Sequence, residues 1–105
     1  MNYDIRLERP DLPECAALIE ELEAHLATLY PPTSRHGFSI QRLIDEQVAF
    51  FLLRCDGAAA ACGGVKLYTD YGEVKRVYVR PAYRGQGLSK RIMARLEEHA
   101  AANGI

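Results

Sequence analysis

The stretch EVKRVYVRPAYRGQGLSKRIMARLEEHAAANG, residues 73–104, decides how this chain folds. Residues 73–80 alternate in side-chain type, which is typical of a β-strand. Gly85 and Gly87 then lie in a short turn, and apolar residues recur every four positions from Leu88 onward, which is the spacing of a helix. The stretch therefore predicts a strand, a glycine-bearing turn and a long helix in direct succession.

Alternation along the strand predicts two faces that carry different side chains. One face is expected to carry Val74, Arg76, Tyr78 and Arg80, and the other Glu73, Lys75, Val77 and Val79. The two sets of charged side chains should therefore reach opposite sides of the sheet.

The turn and the start of the helix together predict an anion site. The backbone N–H groups of a first helical turn have no partner within the helix, and the helix dipole places partial positive charge beside them. Gly85 and Gly87 permit the turn and the close approach of a ligand. Lys90 and Arg91 lie in the first turns, where the dipole disfavours positive side chains and a bound anion would compensate. A solvated helix face explains the same pair equally well.

Basic residues are concentrated in this part of the chain. The chain has 13 basic and 14 acidic residues and a net charge of −1. Residues 74–96 hold seven of the basic residues and no Asp or Glu, so this segment sums to +7 and the rest of the chain to −8. We therefore expect an anionic partner near residues 75–95.

The residues before this stretch predict two helices and three further strands. Residues 3–8 alternate as a strand does, and Asp11 as N-cap with Pro13 in the first turn is typical of a helix start. A loop over residues 30–37 then precedes a short helix capped by Ser39.

Two more strands follow this helix. An apolar run from residue 48 ends at the tight turn Asp56-Gly57, and residues 58–68 form the next strand, with a bulge or a close backbone approach predicted at Gly63-Gly64. The whole order is strand, helix, helix, three strands, helix. It predicts a mixed α/β domain with a mostly antiparallel central sheet.

Composition limits the class of protein. At 105 residues the chain is one small domain with a thin core. No apolar stretch approaches the ~20 residues of a membrane span, and the N-terminus lacks the pattern of a secretory signal. We therefore expect a cytoplasmic protein without a membrane partner. Cys15, Cys55 and Cys62 lack the spacing of a zinc site or an even disulfide set, so we expect buried, reduced thiols and no metal.

Residues 73–104 resemble the cofactor-binding motif of the GNAT superfamily of N-acetyltransferases, whose turn reads Gln/Arg-x-x-Gly-x-Gly/Ala. Arg84, Gly87 and Ser89 occupy its three fixed positions, and Ser89 stands where the family has Gly or Ala. The motif lies between a predicted strand and a predicted helix, which is the context that it requires. The chain has neither the Gly-Lys-Ser/Thr of a nucleoside triphosphate loop nor the Gly-x-Gly-x-x-Gly of a dinucleotide site. The resemblance implies coenzyme A as the anion.

The same resemblance implies a reaction. An acetyl group would pass from acetyl-CoA to a primary amine of a small molecule or an amino-acid-like acceptor, by direct attack in a ternary complex. The pyrophosphate would lie on the backbone amides of the turn, and the pantetheine arm along the strand. A backbone N–H near residues 77–79 would stabilise the developing oxyanion. The implied cofactor-binding residues are Val77, Tyr78, Val79, Arg84, Gly85, Gln86, Gly87, Leu88, Ser89 and Lys90.

The resemblance also implies a general base and an acceptor loop. A protonated amine must lose a proton before it attacks, and Glu73 is the implied base. An ordinary ion pair with a nearby Lys or Arg explains Glu73 equally well. Tyr30, Arg35 and His36 lie in the loop that borders the acceptor site in the family, and they are the implied substrate residues. A polar loop without a role is the alternative.

A GNAT domain continues past this last helix into a further strand, and the chain stops at Ile105 before it. We expect a single GNAT-like domain over residues 1–105 that is incomplete at its C-terminus, or a homodimer in which a second copy completes the sheet. The acidic residues of the first helix are interpreted as a solvated face: Glu20, Glu21 and Glu23.

Two functions without catalysis stay open beside the transferase. One is a coenzyme A-binding or interaction module. The other is a nucleic-acid-binding domain, which rests only on the basic segment and lacks interleaved aromatic residues or a recognised helical module. The resemblance favours the transferase over both.

Overall fold

The structure is a computed structural model that describes residues 2–29 and 38–105. In chain order its elements are β1 (Tyr3–Glu8), α1 (Pro13–Leu29), α2 (Phe38–Asp45), β2 (Ala49–Cys55), β3 (Ala58–Leu67), β4 (Gly72–Val79) and α3 (Leu88–Ala102), with a 3-10 turn at Pro81–Tyr83 before α3. The predicted order of strands and helices is confirmed, and so is the mixed α/β class.

The four strands form one sheet in the order β1-β2-β3-β4, and each neighbouring pair is antiparallel. β2 is buried on both faces, because Phe50 and Leu52 enter one core layer while Phe51 and Leu53 enter the other. β4 lies at one edge and pairs only with β3 among the strands that the structure describes. Its other edge is open within this part of the chain.

Helices cover both faces of the sheet. The layer under α1 and α2 contains Cys15, Leu18, Ile19, Leu43, Phe50, Leu52 and Tyr78. The layer under α3 contains Phe51, Leu53, Ala61, Val65, Leu88, Ile92 and Leu96. The fold is therefore a sheet between two helical layers, with the start of α3 beside the end of β4.

Gly63 allows α3 to approach β3 closely. A Cβ at this position would lie 2.6 Å from Ile92 Cγ2 and 3.1 Å from Val77 Cγ2. Any larger residue would push the helix or β4 away, since protein cores are close-packed. Of the glycine pair predicted to mark a bulge or a close approach, Gly63 therefore allows α3 to lie against the sheet, whereas Gly64 faces Val48.

Two helix starts differ from the prediction. α1 begins at Pro13, and the Leu12 carbonyl oxygen accepts its first helical bond, so the cap is Leu12 and not Asp11. The Asp11 carboxylate instead accepts a bond from an arginine two residues earlier. α2 begins at Phe38, so Ser39 lies inside the helix and does not precede it.

β4 carries one extra residue opposite β3. Cys62 pairs with Tyr78 and Gly64 with Lys75, so two steps along β3 face three along β4. Within that interval Arg76 has φ 55°, in the left-handed region that favours glycine. The irregularity predicted at the glycine pair is present, and its extra residue belongs to β4.

The bulge makes the predicted alternation along β4 wrong. Lys75 Nζ lies 3.3 Å from Glu73 Oε1 and 3.9 Å from Glu46 Oε1, just after α2. Tyr78 and Arg80 bind a carboxylate of α1. Glu73 and Lys75 therefore share the face of Tyr78 and Arg80, because the extra residue reverses the alternation between them.

The three cysteines are buried free thiols, as the sequence predicts. Burial raises the pKa of Cys15 and of Cys62 to about 12, and raises that of Cys55 as well. Within residues 2–29 and 38–105, no group of three or more His, Cys, Asp or Glu could hold a metal ion. No helix in those ranges has the length and apolar character to cross a membrane.

Candidate functional site

The turn between β4 and α3 leaves the first N–H groups of α3 without partners in the helix. Gly87 is the N-cap residue, with φ 76°, and no described side chain caps the helix there. Its carbonyl accepts the first helical bond from Arg91 N–H at 3.2 Å, so the N–H groups of residues 88–90 point outward. Gly85 also has a positive φ of 84°. A Cβ on either glycine would meet no described atom within 4 Å, so the backbone conformation is what requires glycine.

Exposed polar side chains surround the turn. Arg84 and Lys90 are both exposed. The Arg91 guanidinium lies 4.1 Å from the centroid of the Tyr3 ring, and the Tyr3 hydroxyl donates to Gln86 Oε1 at 3.5 Å. β1 therefore contacts the turn from one side, and the positive charge stays at the surface.

Two further residues of the predicted cofactor set differ in what they can offer. Leu88 is buried among the residues of the α3 layer, so only its backbone is available to a ligand. Ser89 is exposed beside the same free N–H groups. A site at this turn would thus be built mainly from backbone donors and cations.

The open edge of β4 presents the backbone of Val77 and Val79. Arg80 N–H donates to Ala60 O across the β3–β4 ladder at 2.9 Å, and backbone groups alternate in direction along an antiparallel strand. The backbone N–H and C=O groups of Val79 and Val77 therefore point away from β3, whereas those of Tyr78 point toward it. Arg84 Nε donates to Val79 O at 3.0 Å and so occupies one acceptor of this edge.

Glu73 lies at the start of β4, away from the turn. Its carboxylate accepts a bond from the Tyr68 hydroxyl at 3.2 Å and lies 3.3 Å from Lys75 Nζ. Its side chain is 49% exposed. At about 3.3 Å of rise per residue, its Cα lies roughly 13 Å from that of Val77. The ion pair that the sequence left as an alternative is present, and any proton transfer from the edge to Glu73 would need water.

A polar cluster that the sequence did not predict joins α1 to the end of β4. Arg80 Nη2 lies 2.7 Å from Glu21 Oε2, Arg80 Nη1 donates to Ala59 O at 3.1 Å, and the Tyr78 hydroxyl donates to Glu21 Oε1 at 3.2 Å. Hydrogen bonding to Glu21 raises the pKa of Arg80. Burial and the Glu21 carboxylate raise the pKa of Tyr78. This cluster fixes the last residues of β4 just before the turn.

The acidic face predicted for α1 is wrong for two of its three residues. Glu20 is exposed, but Glu21 binds Arg80, and the Glu23 side chain is only 14% exposed, with its Oε1 3.8 Å from Arg76 Nε. The spacing of residues in the sequence could have indicated that these two side chains lie near the sheet. Glu21 follows the buried Leu18 by three residues and Glu23 follows the buried Ile19 by four, which places both beside the apolar stripe.

The predicted acceptor residues Tyr30, Arg35 and His36 lie outside the described residues. The structure brings the predicted cofactor residues together at the edge of β4 and the start of α3. It leaves Glu73 at the opposite end of the strand.

Comparison with known families identifies this arrangement. Residues 15–105 match the model of the acetyltransferase (GNAT) family. The chain belongs to the GNAT family. The resemblance inferred from residues 73–104 is therefore confirmed over most of the chain, and so is the enzyme class, an acyltransferase, at the level of the family.

Individual relatives agree with the family. The chain is 37% identical to an IAA acetyltransferase of Azospirillum brasilense, over 99% of this chain and 69% of that protein. Among solved structures, a candidate acyl-CoA N-acyltransferase from Klebsiella pneumoniae is 33% identical, with a TM-score of 0.77 over 96% of this chain and 65% of that one. The N-acetylglutamate synthase of Neisseria gonorrhoeae, solved with coenzyme A and N-acetyl-glutamate, is 26% identical with a TM-score of 0.72. This GNAT chain covers 24% of that synthase, 65% of the Klebsiella protein and 69% of the Azospirillum protein. It therefore spans only part of each relative.

Proposed function

We propose that this GNAT chain binds acetyl-CoA and transfers its acetyl group to the primary amine of a small, amino-acid-like acceptor in a ternary complex. The observation that carries the proposal is the open edge of β4 leading directly into the uncapped N-terminus of α3. The synthase solved with coenzyme A and N-acetyl-glutamate supports an acceptor of this class.

The residues at this site fit coenzyme A. Its pyrophosphate needs several N–H donors and positive charge, which the backbone of residues 85–90 and the exposed Arg84 and Lys90 supply. Its pantetheine arm carries amides, which can pair with the outward backbone groups of Val77 and Val79 as an added strand would. For the arm to reach the carbonyl of Val79, the side chain of Arg84 must leave its present hydrogen bond.

The chemistry required of the chain follows from the reaction. Bound acetyl-CoA supplies the acetyl group as a thioester. The protonated amine loses one proton before attack. Its nitrogen then forms a bond to the carbonyl carbon, the carbon–sulfur bond breaks, and a second proton released by the nitrogen goes to the leaving sulfur. A backbone N–H at Val77 or Val79 stabilises the charge that develops on the carbonyl oxygen. Glu73 accepts the amine proton through water.

A calorimetric titration of acetyl-CoA into the protein tests the cofactor site, and thiol release with a panel of amines tests turnover. We expect saturable binding of acetyl-CoA, and thiol release that depends on the amine. Binding without release for any amine would favour a coenzyme A-binding module over an enzyme. A folded protein that binds no acetyl-CoA would contradict the proposal.

Light scattering in the same buffer tests the proposed homodimer. A pair of chains joined at the open edge of β4 would give twice the mass of the monomer. Such a dimer would use the backbone groups that the pantetheine arm needs, so it and the bound cofactor exclude each other. A monomer at all concentrations used would remove this part of the proposal without affecting the cofactor site. A filter-binding titration with DNA and RNA over a salt series serves as the control for the basic segment.

A further inference from the structure

Arg84 closes one end of the β4 edge with its own side chain. Its Nε donates to the Val79 carbonyl oxygen at 3.0 Å. That carbonyl points away from β3, because Arg80 N–H pairs with Ala60 O and the preceding residue of an antiparallel strand directs its backbone groups the other way. The side chain therefore uses one of the backbone acceptors that an added strand would need.

Few contacts hold the Arg84 side chain in this position. Its guanidinium carbon lies 5.9 Å from the centroid of the Tyr78 ring, at the outer limit of a cation–π contact. The Tyr78 hydroxyl donates to Glu21, so the ring itself is fixed. Arg84 is exposed, and no carboxylate of residues 2–29 and 38–105 forms an ion pair with it. An anion at the turn would thus offer this cation a full negative charge that the described part of the chain does not.

Arg84 also stands at the start of the turn that carries the free N–H groups. Gly85 and Gly87 follow it with positive φ angles, and the N–H groups of residues 88–90 point outward just beyond them. A guanidinium binds a phosphate through two parallel N–H bonds between opposite charges, which outweigh a single bond to a neutral carbonyl oxygen. A phosphate held at these N–H groups should therefore draw the Arg84 side chain away from Val79.

We propose that Arg84 couples the two halves of the cofactor site and selects thioesters that carry phosphates. Without phosphate, its side chain closes the Val79 end of the edge against the pantetheine arm. When the pyrophosphate binds, the side chain moves to it, and the Val79 carbonyl accepts a bond from an amide of the arm. A phosphate-free thioester such as S-acetylpantetheine must break the Arg84 bond without this compensation. This inference rests on the proposed function and concerns its donor specificity.

Two substitutions separate the charge of Arg84 from its hydrogen bond. Gln carries an N–H donor at the same distance along its side chain as Arg Nε, so Arg84→Gln can keep the bond to Val79 O without the charge. Arg84→Ala removes both. The backbone at Arg84 is extended, with φ −72° and ψ 154°, so either residue fits there without strain.

Calorimetry with acetyl-CoA and with S-acetylpantetheine tests the coupling. Arg84→Ala should bind S-acetylpantetheine about three- to tenfold more tightly than wild type, because one exposed hydrogen bond no longer has to break. It should bind acetyl-CoA no more tightly than wild type, since it also loses a charge near the phosphates. Arg84→Gln should bind S-acetylpantetheine as wild type does and acetyl-CoA more weakly.

Thiol release at a fixed amine concentration gives a second readout. With S-acetylpantetheine as donor, kcat/KM should rise in Arg84→Ala by about the same factor as the affinity. Arg6→Ala removes an exposed arginine from β1 and serves as the matched control. It should equal wild type with both donors in both measurements.

Four results would overturn the inference, each for a different reason. If Arg84→Ala weakens acetyl-CoA binding and leaves S-acetylpantetheine binding unchanged or undetectable, Arg84 contacts phosphate but does not close the edge. If it weakens the binding of both, the side chain supports the turn itself. If Arg84→Gln gains affinity for S-acetylpantetheine as Arg84→Ala does, the charge and not the hydrogen bond is responsible. If wild type binds no acetyl-CoA, the proposed function fails and the coupling fails with it.

Discussion

Gly87 and Gly104 form a natural pair for separating backbone strain from ligand binding. Their φ angles are 76° and 85°, and a Cβ on either would meet no described atom within 4 Å. They lie at opposite ends of α3. We predict that Gly87→Ala and Gly104→Ala each lower the free energy of unfolding by about 1–2 kcal/mol, the strain of a left-handed non-glycine residue.

Only the change at Gly87 should also affect the cofactor. Relief of strain would shift the turn and move the N–H groups of residues 88–90 away from the pyrophosphate. We expect acetyl-CoA affinity to fall about tenfold in Gly87→Ala and to stay constant in Gly104→Ala, with unfolding followed in urea and affinity by calorimetry. Equal affinities in the two variants would place the phosphate elsewhere.

Glu73 supports a second prediction at this scale. If it is the general base, Glu73→Gln should lower kcat by about 10²-fold or more, because that is the usual contribution of a positioned base, and leave acetyl-CoA affinity unchanged. Asp70→Asn, in the exposed turn before β4, is the control. An unchanged kcat in Glu73→Gln would leave only the ion pair with Lys75, worth about 0–1 kcal/mol.

Local features of these residues could be predicted from the sequence, whereas their partners could not. Gly85 and Gly87 are identified by their own conformational freedom and by the strand and helix that flank them. Glu21 and Glu23 are two residues apart on α1, and their roles depend on how the helix docks against β4, which no local pattern specifies. For that reason the glycine-bearing turn before α3 was predictable, whereas the contacts of Glu21 and Glu23 were not.

The elements show the same limit. Most strands and helices were predictable because their side-chain types recur with a regular period, and β2 because a short apolar run ends at a tight turn. The bulge in β4 was not, because the sequence of residues 73–80 alternates without interruption, and only the register against β3 reveals the extra residue. Because of this one extra residue, the side chains of Glu73 and Lys75 lie on the face of the sheet opposite to the predicted one.

A partly buried charge cluster joins three elements and should respond to pH. Arg54 of β2 lies 3.1 Å from Glu8 Oε2 in β1 and 2.7 Å from Glu14 Oε1 in α1. Hydrogen bonding to Arg54 lowers the pKa of Glu14 below its ordinary value of 4.5. A lowered carboxylate pKa stabilises the fold above the unfolded value, and this stabilisation is lost as the pH falls through the lower, folded pKa.

We therefore predict that Glu14→Gln is less stable than wild type at neutral pH, by about 0.5–1 kcal/mol, as is typical of a partly exposed ion pair. The difference should shrink as the pH falls below 4.5. Urea unfolding at a series of pH values measures it. Glu20→Gln, on the exposed face of α1, should match wild type throughout. A difference that does not depend on pH would mean that packing, and not charge, is lost.

At the scale of the whole molecule, the protein's own carboxylates pair with part of the basic segment. Lys75, Arg76 and Arg80 lie within 4.0 Å of acidic side chains of the α1 and α2 face or of β4 itself. Arg84, Lys90 and Arg91 instead gather at the turn before α3. The anionic partner that the charge count predicts is thus expected mainly at the turn, where the exposed cations lie and where a phosphate would bind.

This distribution predicts a localised salt dependence of acetyl-CoA binding. Exposed charges are screened over about 10 Å at 0.1 M salt, so only cations near the phosphates should matter. Lys90→Gln should weaken binding about three- to tenfold at low salt and little at about 0.5 M NaCl, where screening already removes its contribution. Lys66→Gln removes the same charge near the start of β4, roughly 25 Å away by strand rise, and should change the affinity little at any salt concentration. Calorimetry over a salt series measures both. Equal effects of the two variants would show that binding responds to the net charge of the molecule, and the proposed phosphate position at α3 would then lose its electrostatic support.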